Sequence, residues 1–442
     1  MVQADTIAAL ATPVGAGAIA VVRVSGPRAL EVADKIFRGK RVASQMPPGR
    51  VVRGQIVDGG AVVDDVLLTV FRAPHSYTGE DVVEISGHGG AIVAQSVLRA
   101  ALSSGAVPAP PGEFTRRAFL NGKMDLTQAE AVMDLIEARG AASAKAAAAR
   151  LEGRLRCEVD ALREALLMAL AHLEAFIDFP EEGIDPDSGA ALAARVDDLL
   201  GRVSRLLATA DEGRMLREGV RLVIHGPPNV GKSSLLNLLL GYDRAMVSSI
   251  PGTTRDTIEE NLTLRGIPFR IIDTAGLRDS SDPLEQEGMR RTRAHVEQAD
   301  VTVRVTDSVT EAAQTAPGER EVVVLNKIDL LPEAPRVADV VALCCLDGRG
   351  LEDLVEAVIA RTDLGSLDRC ADSVAVNERH RQCLVQARGY LDEAKSSLQR
   401  GDAPELTAVE LRAALAAVGE ITGAGDAEEV LDRIFGSFCI GK

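Results

Sequence analysis

The octet Gly226-Pro227-Pro228-Asn229-Val230-Gly231-Lys232-Ser233 constrains this chain more than any other stretch. It has the pattern G-x-x-x-x-G-K-S. A strand-like run, Arg221 to His225, precedes it, and a helix-like run, Ser234 to Leu240, follows. A strand that ends in a glycine-rich turn and restarts as a helix aims several backbone N–H groups at one place. The helix N-terminus adds partial positive charge there. Such a turn suits the phosphates of a nucleotide, held by Asn229, Val230, Gly231, Lys232, Ser233 and Ser234. Lys232 reaches the β- and γ-phosphates, and Ser233 is placed to ligate Mg²⁺.

Two further motifs follow in order. Asp273-Thr274-Ala275-Gly276 comes after the strand-like run Phe269 to Ile272. Asp273 is placed to hold the metal through water, and the Gly276 N–H to sense the γ-phosphate. Asn326-Lys327-Ile328-Asp329 comes after Val322 to Leu325, a buried-strand pattern. Asp329 can accept from the guanine N1–H and N2–H₂. A site built round such a buried carboxylate rejects adenine, which lacks that pair of donors. Together the three motifs predict a GTP-binding domain.

Between the first two motifs, Ser248 to Asp256 holds the position of a first switch loop. Thr254 is a candidate to cap Mg²⁺ and the γ-phosphate. Arg255 has three readings: a catalytic cation, a surface salt-bridge residue or a switch contact. Leu277 stands where many GTPases carry a water-orienting Gln, and an aliphatic side chain cannot orient water. Asp279, Asp282, Glu285 and Glu287 supply carboxylates nearby, either to position water or merely as a solvated loop. Asn229 is a candidate to help bind a monovalent cation.

The rest of the chain sets bounds. Its 442 residues predict two to four domains, and with no Trp and 3% aromatics the cores must be aliphatic. The net charge of −16 argues against broad non-specific binding to nucleic acid, while leaving room for a local basic patch. Six cysteines without a C-x-x-C pair suggest a reducing compartment. Asp5, Pro13, Gly15 and Gly17 do not fit a signal peptide, and no long uncharged apolar run predicts a membrane span. The ending Cys439-Ile440-Gly441-Lys442 only loosely outlines a prenylation box, and that reading is rejected.

Four regions follow from the patterning. Residues 1–120 alternate β-rich runs (Ile19–Val24, Val62–Phe71, Val82–Ile85) with Gly/Pro turns and a helix near Ala29–Phe37, an α+β domain. Residues 121–215 are helical. Residues 216–368 alternate strands and helices, as a parallel doubly wound α/β sheet demands. Residues 369–442 are helical again. The arrangement predicts a GTP-binding domain inserted into a helical domain built from two segments.

These motifs resemble the bacterial tRNA modification GTPase family MnmE (TrmE). The likeness rests on the phosphate loop through Asn237, Pro251-Gly252-Thr253-Thr254-Arg255-Asp256, Asp273 to Arg278 and the terminal Phe438-Cys439-Ile440-Gly441-Lys442. Asp5 to Ala8, Ser76-Tyr77-Thr78-Gly79-Glu80-Asp81, Gly87-His88-Gly89-Gly90 and Pro111 to Lys123 extend it over the N-terminal half. The resemblance implies a folate-binding, dimerising N-terminal domain and a homodimer working with the FAD-dependent flavoprotein MnmG (GidA), in the cytoplasm. Together they modify C5 of wobble uridine in certain tRNAs, with 5-formyl- or methylene-tetrahydrofolate supplying the one-carbon unit. It implies folate contacts at Arg23, Glu84, Lys123 and Lys442. It also implies that K⁺, held by Asn229 and the switch residues Ser248, Ile250 and Thr253, replaces an arginine finger, and that Glu285 orients the water. Thr254 and Gly276 complete the catalytic set, and Arg255 becomes a structural or switch contact.

Some residues keep two readings. Cys439 is either a nucleophile or a small buried hydrophobe near a helix end. His88 between glycines reads as a packing or turn residue rather than a metal ligand. The chain departs from the family at Cys344-Cys345-Leu346, where Ser-Ala-Arg/Lys is usual, and at Ala16, where Arg is common. The first change removes a long side chain that would stack on the base. The alternative function is a GTP-dependent switch or assembly factor acting on RNA or the ribosome without chemistry of its own.

Overall fold

A computed structural model describes residues 5–178, 189–246, 259–272, 295–314, 316–331, 337–362, 364, 375–424 and 428–442. The chain divides into two compact units. The first joins residues 1–133 to 422–442, and the second spans 134–421.

In the first unit, β1 (Ile7–Leu10), β2 (Ile19–Ser25), β3 (Phe37–Gly39), β4 (Val51–Asp58), β5 (Ala61–Phe71), β6 (Val82–His88) and β7 (Val107–Pro108) form one sheet. Their order is β3-β4-β5-β6-β2-β1-β7, antiparallel except for the β1–β7 pair. Alternation along β2 decides its two faces. Val22 and Val24 enter a core with Ile56, Leu68 and Ile85, closed by Val32 and Ile36 of helix Ala29–Ile36 and Val97 and Ala101 of helix Ala91–Ser103. Arg23, between the two valines, faces the other way, where Ile7, Ala9, Ala109 and Phe114 form a small second cluster.

The strand and helix runs expected in this region are present. Helices Ala91–Ser103 and Glu113–Leu120 were not anticipated: the first is an alanine-rich run with weak apolar–polar contrast, and the second spans only eight residues, two of them adjacent arginines. The C-terminal helix Glu428–Gly436, through Phe435, and the following Phe438 pack into the same unit against Leu126, Ala129 and Met133. A Cβ on Gly112 (φ 68°) would stand 2.6 Å from the Phe435 carbonyl oxygen, so only glycine permits this approach.

In the second unit, helices Arg154–Asp178 and Gly189–Ala208 share a core with Glu378–Arg400 and Pro404–Thr422, through residues such as Leu162, Val196, Leu384 and Leu411. The sequence between these helix pairs builds a six-stranded sheet. Its strands are β8 (Val220–His225), β9 (Glu259–Leu264), β10 (Ile267–Ile272), β11 (Val301–Thr306), β12 (Glu321–Leu325) and β13 (Val340–Ala342). The order is β13-β12-β11-β8-β10-β9. All pairs are parallel except β9–β10, so the sheet is mixed at one edge rather than wholly parallel. After β8 the chain fills one side of the sheet and then crosses to β11 on the other. That change of direction is the switch point at which α/β sheets bind ligands, beyond the carboxyl ends of their strands.

A buried carboxylate ties together the N-terminal ends of the central strands β8 and β11. Asp300 takes hydrogen bonds from Arg214 at 2.7 Å, from Arg221 at 3.1 Å and from the Arg221 N–H at 2.8 Å. Burial alone would raise the Asp300 pKa, but these donors outweigh it and hold the carboxyl below its ordinary range.

Candidate functional site

β8 gives way to Gly226, whose φ of 143° and tight passage over β11 exclude any side chain: a Cβ there would lie 2.1 Å from the Val305 carbonyl oxygen. The loop turns through Asn229 in a left-handed conformation (φ 63°) and Gly231 (φ 101°), then enters helix Lys232–Met246. Val230 is buried and anchors the loop, while Asn229, Ser233 and Ser234 are exposed at its mouth. Lys232 bends back over the loop and donates to the carbonyls of Gly226 (3.0 Å) and Pro227 (2.7 Å). Partial burial lowers its pKa.

The base motif grips this loop from the end of β12. Buried Asn326 donates its amide to the Val230 carbonyl at 2.8 Å. Lys327, itself left-handed (φ 62°), donates to the Asn229 carbonyl at 2.7 Å and pairs with Asp307 at 2.7 Å. Two adjacent residues therefore hold two consecutive carbonyls of the phosphate loop. Asp307, at the end of β11, carries no part of the three motifs, and sequence reasoning missed it.

Asp329 is exposed, which corrects the expectation of a buried carboxylate. It sits on the short turn Ile328–Leu330 that follows β12. Cys344 Sγ donates to its Oδ1 at 3.3 Å, and the Cys345 N–H donates to Asn326 Oδ1 at 3.3 Å. Burial, reinforced by the neighbouring Cys344, pushes the Cys345 thiol up to about 11 against an opposing hydrogen bond with Asn326. Leu346 projects into solvent, 87% exposed. Ser248, Ile250, Thr253, Thr254, Arg255, Asp273, Gly276, Leu277 and Glu285 lie outside the described residues.

The first unit holds a second polar site. Arg23 on β2 stands directly opposite Glu84 on β6, and the pair closes at 2.9 Å. Its guanidinium lies 5.3 Å from the Tyr77 ring centroid and 5.5 Å from that of Phe114. Both distances are within cation–π range. Arg23 Nη1 also donates to the Gly441 carbonyl at 3.5 Å, which brings the C-terminus onto the same face. Lys442 is partly buried there: burial first, then the Arg23 charge, lower its pKa, while Glu84 and Cys439 oppose. Lys123 takes a different partner, the Pro74 carbonyl at 3.0 Å, and is exposed. Cys439 is exposed, so the reading of it as a buried hydrophobe does not hold.

Tyr77 and Phe114 lie inside motifs visible in the sequence, but nothing there placed them beside Arg23. Beneath them a buried network fixes the loop between β5 and β6. Ser25 meets Thr78 and Glu80 at 2.7 Å each, and Arg117 pairs with Glu80 at 3.0 Å and Glu113 at 2.9 Å. At the far end of β6, His88 Nδ1 meets Asp64 at 2.6 Å, and the His88 N–H donates to the same carboxylate at 2.8 Å.

Residues 6–123 match the family model described as GTP-binding protein TrmE N-terminus, and residues 126–439 match the MnmE helical domain. The tRNA modification GTPase MnmE of Akkermansia muciniphila is 48% identical over 445 residues, 99% of each chain. Proteins of that name from Symbiobacterium thermophilum (46%, 99% of each chain) and Syntrophotalea carbinolica (45%, 100% of each chain) are similarly close. Among solved structures, a GTP-binding protein from Sulfolobus solfataricus in complex with GDP aligns at 14% identity and a TM-score of 0.23, over 58% of this chain and 79% of that one. That alignment is too loose to carry an argument. Full-length identity approaching one half, with both family models matched in order, means that the chain belongs to the tRNA modification GTPase MnmE family.

Proposed function

We propose that this chain is a K⁺-activated GTPase which, with an FAD-dependent flavoprotein partner (MnmG), modifies C5 of the wobble uridine in certain tRNAs, using a tetrahydrofolate one-carbon unit. It acts as a cytoplasmic homodimer whose GTP-binding domains pair. The observation that carries the reading is that one chain holds both a guanine-and-phosphate site and, in its other unit, a cation–carboxylate pair flanked by two aromatic rings. A pure assembly switch needs only the first.

In the GTPase site, Lys232 exchanges the carbonyls of Gly226 and Pro227 for phosphate oxygens, and the loop N–H groups complete the cradle. Asp329 accepts from the guanine edge, held in place by the Cys344 thiol. Ser233, exposed at the helix start, and Thr254 would hold Mg²⁺; exposed Asn229, with Ser248, Ile250 and Thr253, would hold K⁺. When bound, the two cations oppose negative charge developing on the transferred phosphoryl group. Glu285 would orient the attacking water, Asp273 would help hold Mg²⁺ through water, and the Gly276 N–H would contact the γ-phosphate.

In the first unit, the half-buried Tyr77 ring offers flat apolar surface to a folate ring system, the buried Phe114 ring backs Arg23 from within the core, and Glu84 accepts from the folate N–H donors. Arg23, Lys442 and Lys123 supply positive charge for its carboxylates. Cys439 is an accessible thiol at the same terminus. The test is the nucleoside content of tRNA from a strain lacking the chain. Loss of C5-aminomethyl-type wobble bases is expected, and an unchanged nucleoside profile overturns the reading.

A further inference from the structure

The β3–β4 edge of the first unit concentrates positive charge within an acidic chain. Residues 38–53 contain Arg38, Lys40, Arg41, Arg50 and Arg53 and no carboxylate, in a chain of net charge −16. All five side chains are exposed. Like charges this close repel one another, and nothing in the packing of the edge requires them. Two acids lie beside it. Asp34 Oδ1 accepts the Ser44 N–H at 2.9 Å, and Asp65, opposite Gln55 on β5, pairs with Arg53 at 4.0 Å and offsets one of the five charges. Arg38 donates only to the carbonyls of Asp34 and Phe37 among the described residues.

The platform beneath is rigid. The Phe37 ring is buried against Gly39 and Gly54, where a Cβ would come within 2.6 and 2.4 Å of it. Ala43 and Met46 are buried under the connection, the Ser44 carbonyl accepts from Arg72 at 2.6 Å, and the Gly49 N–H donates to Val70 at 2.8 Å. Arg38 lies opposite Gln55 on β4, two residues from Arg53. Arg38 and Arg53 therefore share one sheet face, and Lys40, Arg41 and Arg50 lie on the packed connection between their strands.

We propose that this edge takes the phosphate backbone of structured RNA. Four of the five residues are arginines, whose planar fork matches phosphate oxygens two at a time. The proposal rests on the reading that tRNA is the substrate, and it names the surface that would receive it. An acidic protein partner is the competing occupant.

The test is binding of labelled, unmodified tRNA to the full-length protein across a salt series. The variant Arg38→Gln/Lys40→Gln/Arg41→Gln/Arg50→Gln should bind at least tenfold more weakly. Its slope of log Kd against log salt should be smaller by about three to four, roughly 0.9 for each phosphate contact removed. The charge-preserving variant Arg38→Lys/Arg41→Lys/Arg50→Lys should keep the wild-type slope, and GTP turnover by both should match wild type. Unchanged tRNA affinity in the glutamine variant overturns the assignment of this edge, whether or not a protein partner is lost. Absence of tRNA binding by the wild-type chain at low salt overturns the RNA reading as a whole.

Discussion

The Asn326 side-chain amide donates to the Val230 carbonyl at 2.8 Å, joining the guanine motif to the phosphate loop across 96 residues of sequence. A Cβ on Gly231 would fall 2.2 Å from that same amide nitrogen, at a φ of 101° that side chains rarely adopt. Base and phosphate recognition therefore share one buried contact.

Asn326→Ala and Gly231→Ala should each weaken GDP and GTP together. Loss of a buried hydrogen bond costs about 1–3 kcal/mol, roughly 5- to 150-fold in affinity. Calorimetric titration with both nucleotides checks this. Loss of GTP affinity with GDP affinity intact would mean that the contact serves the γ-phosphate alone.

GTP turnover should be faster in K⁺ than in Na⁺ by about tenfold or more, since the proposed K⁺ takes the part that an arginine finger plays in other GTPases. Asn229→Ala should erase the difference. Glu285→Ala should leave GTP affinity within about twofold and slow hydrolysis on the order of 10²-fold. Equal wild-type rates in the two salts would remove the cation mechanism, and undiminished hydrolysis by Glu285→Ala would assign the water to another group.

Gly441→Ala should weaken 5-formyl-tetrahydrofolate binding by at least about fivefold, close to 1 kcal/mol. Its Cβ would stand 2.2 Å from the Leu10 carbonyl oxygen at a φ of 100°, so the terminus must move and take Lys442 with it. Arg23→Ala should be more severe, because it also leaves Glu84 without its counter-charge. Equilibrium dialysis with the reduced folate measures both, and GTP turnover serves as the control for folding.

His88 gives a pH signature. Its hydrogen bond and charge interaction with Asp64 raise its pKa in the folded protein. A raised folded-state value means stability that is fully present below the unfolded pKa, about 6.5, and lost as pH rises through the folded value. The urea midpoint of the wild type should fall over that window, and His88→Ala should flatten it. The backbone N–H bond to Asp64 remains in the variant, so a curve of unchanged shape would discharge the pair from any role in stability.

Much of this was legible in the chain itself. The octet from Gly226 to Ser233, with its flanking runs, dictates a strand, a tight turn and a helix, because only that order lets glycines expose N–H groups to an anion. The alternation Val22-Arg23-Val24 likewise dictates that one charged side chain leaves the core face of a strand. The antiparallel strand β9 was not legible, since an edge strand needs only half a pattern of burial. The exposure of Asp329 escaped as well, because a motif gives a residue's identity and not its depth.

Local sequence thus determined the elements and the nucleotide-site candidates, the phosphate loop and the base motif, while Arg23 and Glu84 were named only through the family resemblance. Tertiary structure alone decided which of them meet. The Asp307–Lys327–Asn229 chain, the Tyr77 and Phe114 rings about Arg23, the C-terminal Gly441 carbonyl against that arginine and the cationic edge of β3 and β4 all join residues far apart in sequence or set by register. Propensity and periodicity act over a few residues, whereas these contacts exist only once strand order and helix packing have closed the distance between them.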